Sequence, residues 1–235
     1  MLEVKNLSVG YTGRYIIRNV NLLFEPGKCY AVVGKHGCGK SRLLRACAGI
    51  LQPENGTVFL DGEDLHFLRS DIRAKKIGYM GAQRTTSVKT VEQFMVQSRR
   101  PGFRGQKNMT CEDWNRVYNA LNSMKACGLM HIPVSQLSDG ACQRIRIAGL
   151  LAQDSAYLVM DEPTVFLDSE SRQIFHRQLL QLKYAKKTVI FATHDIDLAL
   201  KCSDEMIAID LGREICQGDT ASIVEGGTFQ KIFHQ

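Results

Sequence analysis

The chain of 235 residues suits one domain with a sizeable insertion, and 44% hydrophobic against 23% charged residues is ordinary for a soluble globular protein. No apolar stretch approaches the roughly 20 residues of a membrane span, and the N-terminus lacks a signal-peptide pattern, so we expect the protein to stay where it is made. The net charge of +6 comes without a run of five basic residues, which favours a solvated basic surface over binding of anionic lipid headgroups or nucleic acid.

The first third of the chain has the pattern of strands. Alternating apolar and polar residues predict strands over 2–11, 16–34, 56–65 and 75–83. Pro26–Gly27 is a turn pair that divides the second of these stretches, and Asp61–Gly62 would turn the third into a hairpin. Between them, apolar residues at helical spacing predict a helix over 41–51.

Helical periodicity begins at about residue 86 and predicts helices over 90–100, 110–128 and 144–153. In the second of these, Thr110 can cap the first turn with Asp113 answering it. A glycine, Gly128, is expected to end the same helix. One face of this helix is apolar, which we interpret as core packing, and it carries Trp114, Val117, Leu121 and Met124.

From residue 156 onward, strands and helices alternate. The patterns predict strands over 156–161, 188–195 and 205–210, helices over 169–182 and 196–202, and a turn at Leu211–Gly212. Such alternation is typical of a parallel sheet covered by helices. We therefore expect one α/β domain, with its core at 1–85 and 154–235 and a mostly helical subdomain inserted at about 86–153.

The eight cysteines show neither metal-ligand spacing nor a disulfide framework. They include no CxxC pair and no neighbouring histidine cluster, so we expect them to be small buried hydrophobic side chains kept reduced. They are Cys29, Cys38, Cys47, Cys111, Cys127, Cys142, Cys202 and Cys216.

Residues 34–41, GKHGCGKS, match the phosphate-loop pattern G-x-x-x-x-G-K-[ST] between a predicted strand and a predicted helix. The three glycines let consecutive backbone N–H groups turn toward phosphate oxygens, reinforced by the helix N-terminus. Lys40 would bring positive charge to the β- and γ-phosphates, and the Ser41 hydroxyl would ligate Mg²⁺. We interpret His36 as a tolerated loop residue rather than a catalyst. The predicted nucleotide-binding residues of this loop are Gly34, Lys35, His36, Gly37, Cys38, Gly39, Lys40 and Ser41.

Two carboxylates and a histidine follow predicted buried strands. Asp161 and Glu162 come at the end of one strand, and His194 comes at the end of the next. Because ligands bind at the carboxyl ends of parallel strands, we expect Asp161 beside Mg²⁺ and Glu162 facing the attacking water as general base. His194 can reach the γ-phosphate and hold the water and the base in line. The alternatives are a solvated acidic pair and a structural histidine.

Five motifs occur in the order found in the nucleotide-binding subunit of ATP-binding cassette (ABC) transporters, which the chain resembles over nearly its whole length. They are the phosphate loop at 34–41, Gln83 after a strand, LSDGACQR at 137–144, YLVMDEPTVFLD at 157–168 and ATHD at 192–195. The resemblance implies a P-loop NTPase (RecA-like) core with an N-terminal antiparallel β subdomain and an inserted helical subdomain.

The resemblance also implies further site residues. Tyr11 would stack on adenine, and Gln83 would touch Mg²⁺ or the attacking water and head the segment that contacts the membrane subunit. Asp168 would communicate across a head-to-tail dimer. In that dimer, Ser138 and Gly140 of one copy would close on the γ-phosphate bound by the other copy.

The chain departs from the family pattern at three positions. The usual signature is Leu-Ser-Gly-Gly-Gln, whereas Asp139 and Ala141 stand at its third and fifth positions here. Asp139 adds a negative charge or caps the following helix, and Ala141 removes an amide. Arg42 replaces the usual threonine after the phosphate-loop serine, which weakens the expectation of a second hydroxyl contact. Because it directly follows the loop, Arg42 is still counted among the expected nucleotide-binding residues. Since no departure touches Lys40 or Glu162, we expect ATP hydrolysis.

The resemblance implies ATP and Mg²⁺ as ligands, a second copy and transmembrane permease subunits as partners, and a place on the cytoplasmic face of the cell membrane. A finer resemblance is to the ATPases of siderophore, haem and cobalamin importers, and it lies in residues 164–172, residues 188–200 and the signature that carries Asp139. It implies an extracytoplasmic substrate-binding protein. An exporter ATPase would share every catalytic residue. A soluble ABC ATPase acting on DNA or ribosomes is the other alternative, but the chain lacks sustained heptads and a second phosphate loop, so no nucleic-acid partner is expected.

Overall fold

The computed structural model describes residues 1–11, 14–83, 87–99, 109–210 and 214–225. The strands in these ranges are β1 (Leu2–Tyr11), β2 (Arg14–Phe24), β3 (Cys29–Gly34), β4 (Asn55–Leu60), β5 (Glu63–Asp64), β6 (Ile77–Met80), β7 (Tyr157–Asp161), β8 (Thr188–Ala192), β9 (Glu205–Asp210) and β10 (Glu214–Asp219). The helices are α1 (Lys40–Cys47), α2 (Ser70–Lys76), α3 (Val91–Arg99), α4 (Cys111–Ser123), α5 (Asp139–Gln153), α6 (Ser169–Tyr184), α7 (Ile196–Cys202) and α8 (Thr220–Glu225). Short 3-10 helices span Cys127–Leu129 and Val134–Gln136.

The central sheet has the strand order β10-β9-β3-β8-β7-β6, with parallel pairing from β9 to β6 and antiparallel pairing of β10 on β9. Its side chains alternate between two hydrophobic clusters, as the pleat requires. In β3, Ala31 and Val33 enter one cluster, while Tyr30 and Val32 enter the other. The sheet is therefore buried on both faces, as parallel sheets are.

A second sheet is antiparallel and has the strand order β2-β1-β4-β5. Its buried side chains, Leu2, Leu7 and Phe24 among them, share a cluster with α1 and one face of the central sheet. Asp61–Gly62 turns the chain from β4 into β5 with φ values of 54° and 85°, and Pro26–Gly27 forms the turn before β3, as predicted. The expected α/β architecture with an N-terminal antiparallel sheet is confirmed.

Helices α3, α4 and α5 follow β6 in the chain and precede β7. Their buried side chains, including Met95, Leu121 and Ile145, belong to the same hydrophobic cluster as one face of the central sheet. Packing is therefore continuous between these helices and the sheet. The division of the chain into a core and a helical subdomain at about residues 86 and 153 stays a prediction.

Helix α4 begins as predicted and ends sooner. The Thr110 hydroxyl accepts a hydrogen bond from the Asp113 N–H, and the Asp113 carboxylate accepts one from the Thr110 N–H, which is the expected capping box. The prediction that Gly128 ends this helix is wrong, because Lys125 already takes the left-handed conformation, with φ of 51°. Gly128 lies instead in the following 3-10 helix.

Among the strands and α-helices of the described ranges, three have no counterpart in the sequence patterns: α2, β10 and α8. Helix α2 buries none of its residues, so it has no apolar stripe that a period of 3.6 could detect. Strand β10 adds an antiparallel edge to the parallel sheet. The turn predicted at Leu211–Gly212 lies outside the described residues.

Candidate active site

Four adjacent strands of the central sheet, β3, β8, β7 and β6, end at one edge, where α/β proteins bind ligands. The loop after β3 leads to Lys40, β7 ends at Asp161 with Glu162 next, and His194 comes two residues after β8. A cavity of about 460 Å³ opens at this edge. The predicted site residues in its wall are Tyr11, His36, Gly37, Gly39, Lys40, Ser41, Arg42, Glu162 and His194.

The phosphate loop depends on glycine at its two ends. Gly39 has φ of 108°, and a Cβ atom there would lie 2.8 Å from the side chain of Ile17. A Cβ atom on Gly34 would lie 2.4 Å from the carbonyl oxygen of Ile209 in β9. Larger side chains would therefore push the loop away from the sheet, and the backbone turn that precedes α1 requires these glycines.

Lys40 is held by the loop in which it lies. Its side chain is buried, and its Nζ donates hydrogen bonds to the carbonyl oxygens of Gly34 at 2.8 Å and Lys35 at 3.2 Å. Cys38 turns its thiol inward, and burial raises the pKa of this thiol, so only its backbone can serve a ligand at the loop. The structure thus presents one buried ammonium group beside the first turn of α1, which is an arrangement that binds phosphate.

Asp161 has a buried carboxylate at the end of β7. It is 1% exposed, and among the described residues neither of its carboxylate oxygens has a hydrogen-bond partner. A buried carboxylate is costly unless a cation or donors satisfy it. Together with the Ser41 hydroxyl in the cavity wall, it forms an oxygen donor set that suits Mg²⁺. The residues present therefore fit the metal that was predicted for this edge.

Glu162 and His194 form a close pair across the ends of β7 and β8. The Glu162 Oε1 and His194 Nε2 atoms are 3.0 Å apart. Burial, opposed by Lys40 and aided by Asp161, raises the pKa of Glu162 to about 7. Burial and the neighbouring charges of Lys40 and His36 lower the pKa of His194 to about 4. The site therefore holds a carboxyl group that can exchange a proton near neutral pH beside a neutral imidazole.

The backbone at Glu162 is strained. Glu162 has φ of 51°, which is uncommon for a residue other than glycine, and its N–H donates to the Ala192 carbonyl at 3.0 Å. Phe166, further along the same loop, has φ of 67°. Such conformations cost about 1–3 kcal/mol each and cluster at active sites, where the surrounding contacts maintain them.

Eight of the predicted site residues are not in the cavity wall of their own chain, and four of these belong to the phosphate loop and the end of β7 already described: Gly34, Lys35, Cys38 and Asp161. Gln83 is exposed, and its neighbour Ala82 lines the cavity in its place. The Ser138 hydroxyl caps α5 by accepting a hydrogen bond from the Ala141 N–H at 3.3 Å. The other two predicted residues outside the wall are Gly140, in the first turn of α5, and Asp168, whose carboxylate caps α6.

The alternative that Asp139 caps α5 is wrong. Ser138 occupies the N-cap position, and Asp139 is the first residue of the helix, where its negative charge favours the positive end of the helix dipole. The departure from the usual glycine is therefore compatible with the helix start.

Two buried polar residues of α5 contact the site and were not predicted from the sequence. Gln143 Nε2 donates to the Pro163 carbonyl at 2.8 Å, directly after Glu162. Arg146 donates to Gln143 Oε1 at 2.7 Å and to the carbonyl of Gly81, two residues before Gln83. An arginine inside a helix that is buried nearly all round is the sequence signal for such a network, because a buried charge needs partners.

The cysteine prediction is correct in part. All eight cysteines are free, but Cys111 and Cys127 are exposed, and Cys216 is half-buried, so these three are not core residues. Over the ranges that the structure describes, no group of three or more His, Cys, Asp or Glu side chains could by itself hold a metal ion. In the same ranges, no helix combines the length and hydropathy needed to cross a bilayer.

The sequence is similar to proteins of one family over most of its length. The model of a family described as ABC transporter matches residues 17–165. The petrobactin import ATP-binding protein of Bacillus subtilis is 29% identical, over 99% of this chain and 92% of that protein. The achromobactin transport ATP-binding protein of Dickeya dadantii is 33% identical, over 98% of this chain and 86% of that protein.

A solved structure resembles the fold closely. It is the dimeric, post-hydrolysis state of an ATP-binding cassette bound to ADP and phosphate, with a TM-score of 0.82 and 27% sequence identity. The likeness covers 94% of this chain and 99% of that chain.

Proposed function

The chain belongs to the ABC transporter family of ATPases, and from this premise we propose that it powers the import of an iron chelate, haem or cobalamin. The observation that supports the ATPase site best is the placement of Lys40, Glu162 and His194 in the wall of one cavity, with the buried Asp161 at the end of β7 directly before Glu162. Each residue supplies a different part of phosphoryl transfer to water.

Lys40 neutralises the β- and γ-phosphates, since its ammonium group is the buried cation of the phosphate loop. Mg²⁺, held by Ser41 and Asp161 with Gln83 near the reacting water, would supply charge stabilisation at the terminal phosphate. Glu162 accepts the proton of the attacking water, and His194 holds Glu162 and the water in line. Tyr11 offers a ring face to adenine at the edge of the cavity.

Two copies work head to tail. Ser138, Gly140 and Asp168 lie outside the cavity wall of their own chain, which supports their use on a nucleotide bound by another copy. A similar cassette was solved as a dimer with ADP and phosphate. ATP drives closure only because it binds the closed dimer more tightly than the open one, and hydrolysis removes that preference.

The partners follow from the mode of action. A transmembrane permease binds the chain on the cytoplasmic face of the membrane, with the helices between residues 86 and 153 and the segment after Gln83 as the contact. An extracytoplasmic substrate-binding protein delivers the cargo. Relatives named for petrobactin import and achromobactin transport support an iron chelate as that cargo.

Reconstitution tests the proposal. The chain is co-purified with a candidate permease, placed in proteoliposomes and supplied with a binding protein loaded with a ⁵⁵Fe-labelled siderophore, haem or labelled cobalamin on the outer side. ATP-dependent accumulation of one of these cargos inside the lumen is expected, and an Asp161→Ala complex provides the inactive control. ATP hydrolysis without accumulation of any of them, or movement in the export direction, would overturn the assignment of an importer.

A further inference from the structure

Two histidine rings stand against each other at the phosphate loop. The ring centroids of His36 and His194 are 4.4 Å apart, and the ring planes are tilted by 37°. His36 lies in the loop between β3 and α1, whereas His194 follows β8, so the contact joins two loops from adjacent strands. Both rings line the same cavity.

The contact supports the exposed side of His194. That imidazole is about a third exposed, and its Nε2 edge faces Glu162 Oε1 at 3.0 Å. The ring of His36 covers another side of the same imidazole. Together, the carboxylate and the second ring restrict the rotamers of His194, which otherwise has open cavity beside it.

We propose that His36 is a positioning residue, whose ring holds the His194 imidazole in place beside Glu162 for the reaction. The proposal rests on the role proposed above for Glu162 and His194. His36 itself acts through His194 and neither takes nor gives a proton in this scheme. This positioning role differs from the interpretation of His36 as a tolerated loop residue, and it agrees with that interpretation in that His36 is not a catalyst.

Loss of the His36 ring should lower the rate of the chemical step and leave nucleotide binding nearly unchanged. Lys40, the first turn of α1 and Tyr11 are untouched by loss of the His36 ring, so ATP affinity should change little. An aromatic contact of this kind changes an equilibrium constant by about threefold to tenfold. We therefore expect the equilibrium between correctly placed and displaced His194 to shift by a factor of this size. A ring without nitrogen atoms should serve nearly as well as imidazole, because stacking and not hydrogen bonding maintains the contact.

The test compares His36→Asn, which removes the ring, with His36→Phe, which keeps a ring of similar size. For His36→Asn we expect kcat for ATP hydrolysis to fall about threefold to tenfold. KM and the affinity for a fluorescent ATP analogue should stay within about twofold of the original protein, since binding groups are intact. His36→Phe should recover most of the lost kcat. His131→Asn is the matched control, because His131 is an exposed histidine far along the chain.

Two results would overturn the positioning role of His36. Unchanged kcat in His36→Asn, or an equal fall in His36→Phe, overturns the positioning role, and lost ATP affinity assigns His36 to phosphate binding instead. Nitrogen-15 spectra of the His194 ring provide a readout without turnover, because loss of the neighbouring ring should shift its resonances. Should the original protein hydrolyse ATP while His194→Ala is equally active, the proposed site chemistry has failed and not the His36 contact alone.

Discussion

The guanidinium carbon of Arg42 stands 3.7 Å from the centroid of the Tyr11 ring. Arg42 is the residue at which the family usually has a threonine, and here it joins the start of α1 to the end of β1. Among the described residues its Nε atom is buried without a hydrogen-bond partner, so the stacked ring is the contact that orients the group. One face of Tyr11, which is 66% exposed, is thereby covered, and the other stays open to a nucleotide base.

This stack predicts that Arg42 and Tyr11 act together in nucleotide binding. We expect Arg42→Leu and Tyr11→Ala each to weaken ATP affinity, and the double variant to lose less than the sum, because either change alone breaks the same platform. A coupling of about 0.5–2 kcal/mol is expected from a cation–π contact. Titration calorimetry of the four proteins measures it. Strict additivity would show that the two residues contribute separately.

Lys40→Ala is expected to lower the affinity for ATP by at least tenfold, since it removes the buried cation of the phosphate loop. Binding of a fluorescent ATP analogue measures the loss, with Lys201→Ala, an exposed lysine of α7, as the control. ATP affinity equal in the two variants would contradict the phosphate-loop assignment.

Glu162→Gln is expected to keep ATP binding, lose hydrolysis and accumulate a dimer in the presence of ATP. The amide preserves the shape of the side chain but cannot accept the proton of the attacking water. Phosphate release measures the turnover, and size-exclusion chromatography with and without ATP measures the dimer. Turnover at the original rate would remove Glu162 from the role of base.

The same substitution predicts a pH dependence of folding in the absence of nucleotide. The pKa of Glu162 is raised from 4.5 to about 7 in the folded protein, so its neutral form is the one that the fold favours. The stability that this preference contributes is complete below pH 4.5 and is lost as the pH rises through 7. We therefore expect Glu162→Gln to gain stability relative to the original protein between pH 5 and pH 8.

The gain at pH 8 should reach about 3 kcal/mol at most, which corresponds to the full difference between the two pKa values. Urea unfolding of both nucleotide-free proteins at a series of pH values measures it. Unfolding free energies that run parallel over this range would mean that Glu162 ionises at its ordinary pKa in the folded state.

The sequence predicted the parts of this site that depend on local pattern. Strand-end carboxylates such as Asp161 and the phosphate loop at 34–41 can be recognised because buried parallel strands and glycine spacing are visible in one stretch of chain. The contacts of His36 with His194 and of Arg42 with Tyr11 could not be, since each joins residues from separate strands. The early end of α4 was missed because Lys125, a residue with no special preference for positive φ, turns the chain there.

The placement of Ser138 outside its own cavity predicts that an active site needs two chains. Lys40→Ala removes the phosphate-loop cation, and Ser138→Arg places a large charged side chain in the signature turn. Each variant alone is expected to form two defective sites per dimer and to lose ATP-dependent dimerisation.

When the two variants are mixed, one of the two sites in a mixed dimer combines an intact loop from one chain with an intact turn from the other. We therefore expect the mixture to recover ATP-dependent dimers, measured by light scattering, while a mixture of Lys40→Ala with Asp161→Ala does not recover them. Equal failure of the two mixtures would indicate that Ser138 serves the nucleotide of its own chain, and normal dimerisation of Ser138→Arg alone would indicate that it serves none.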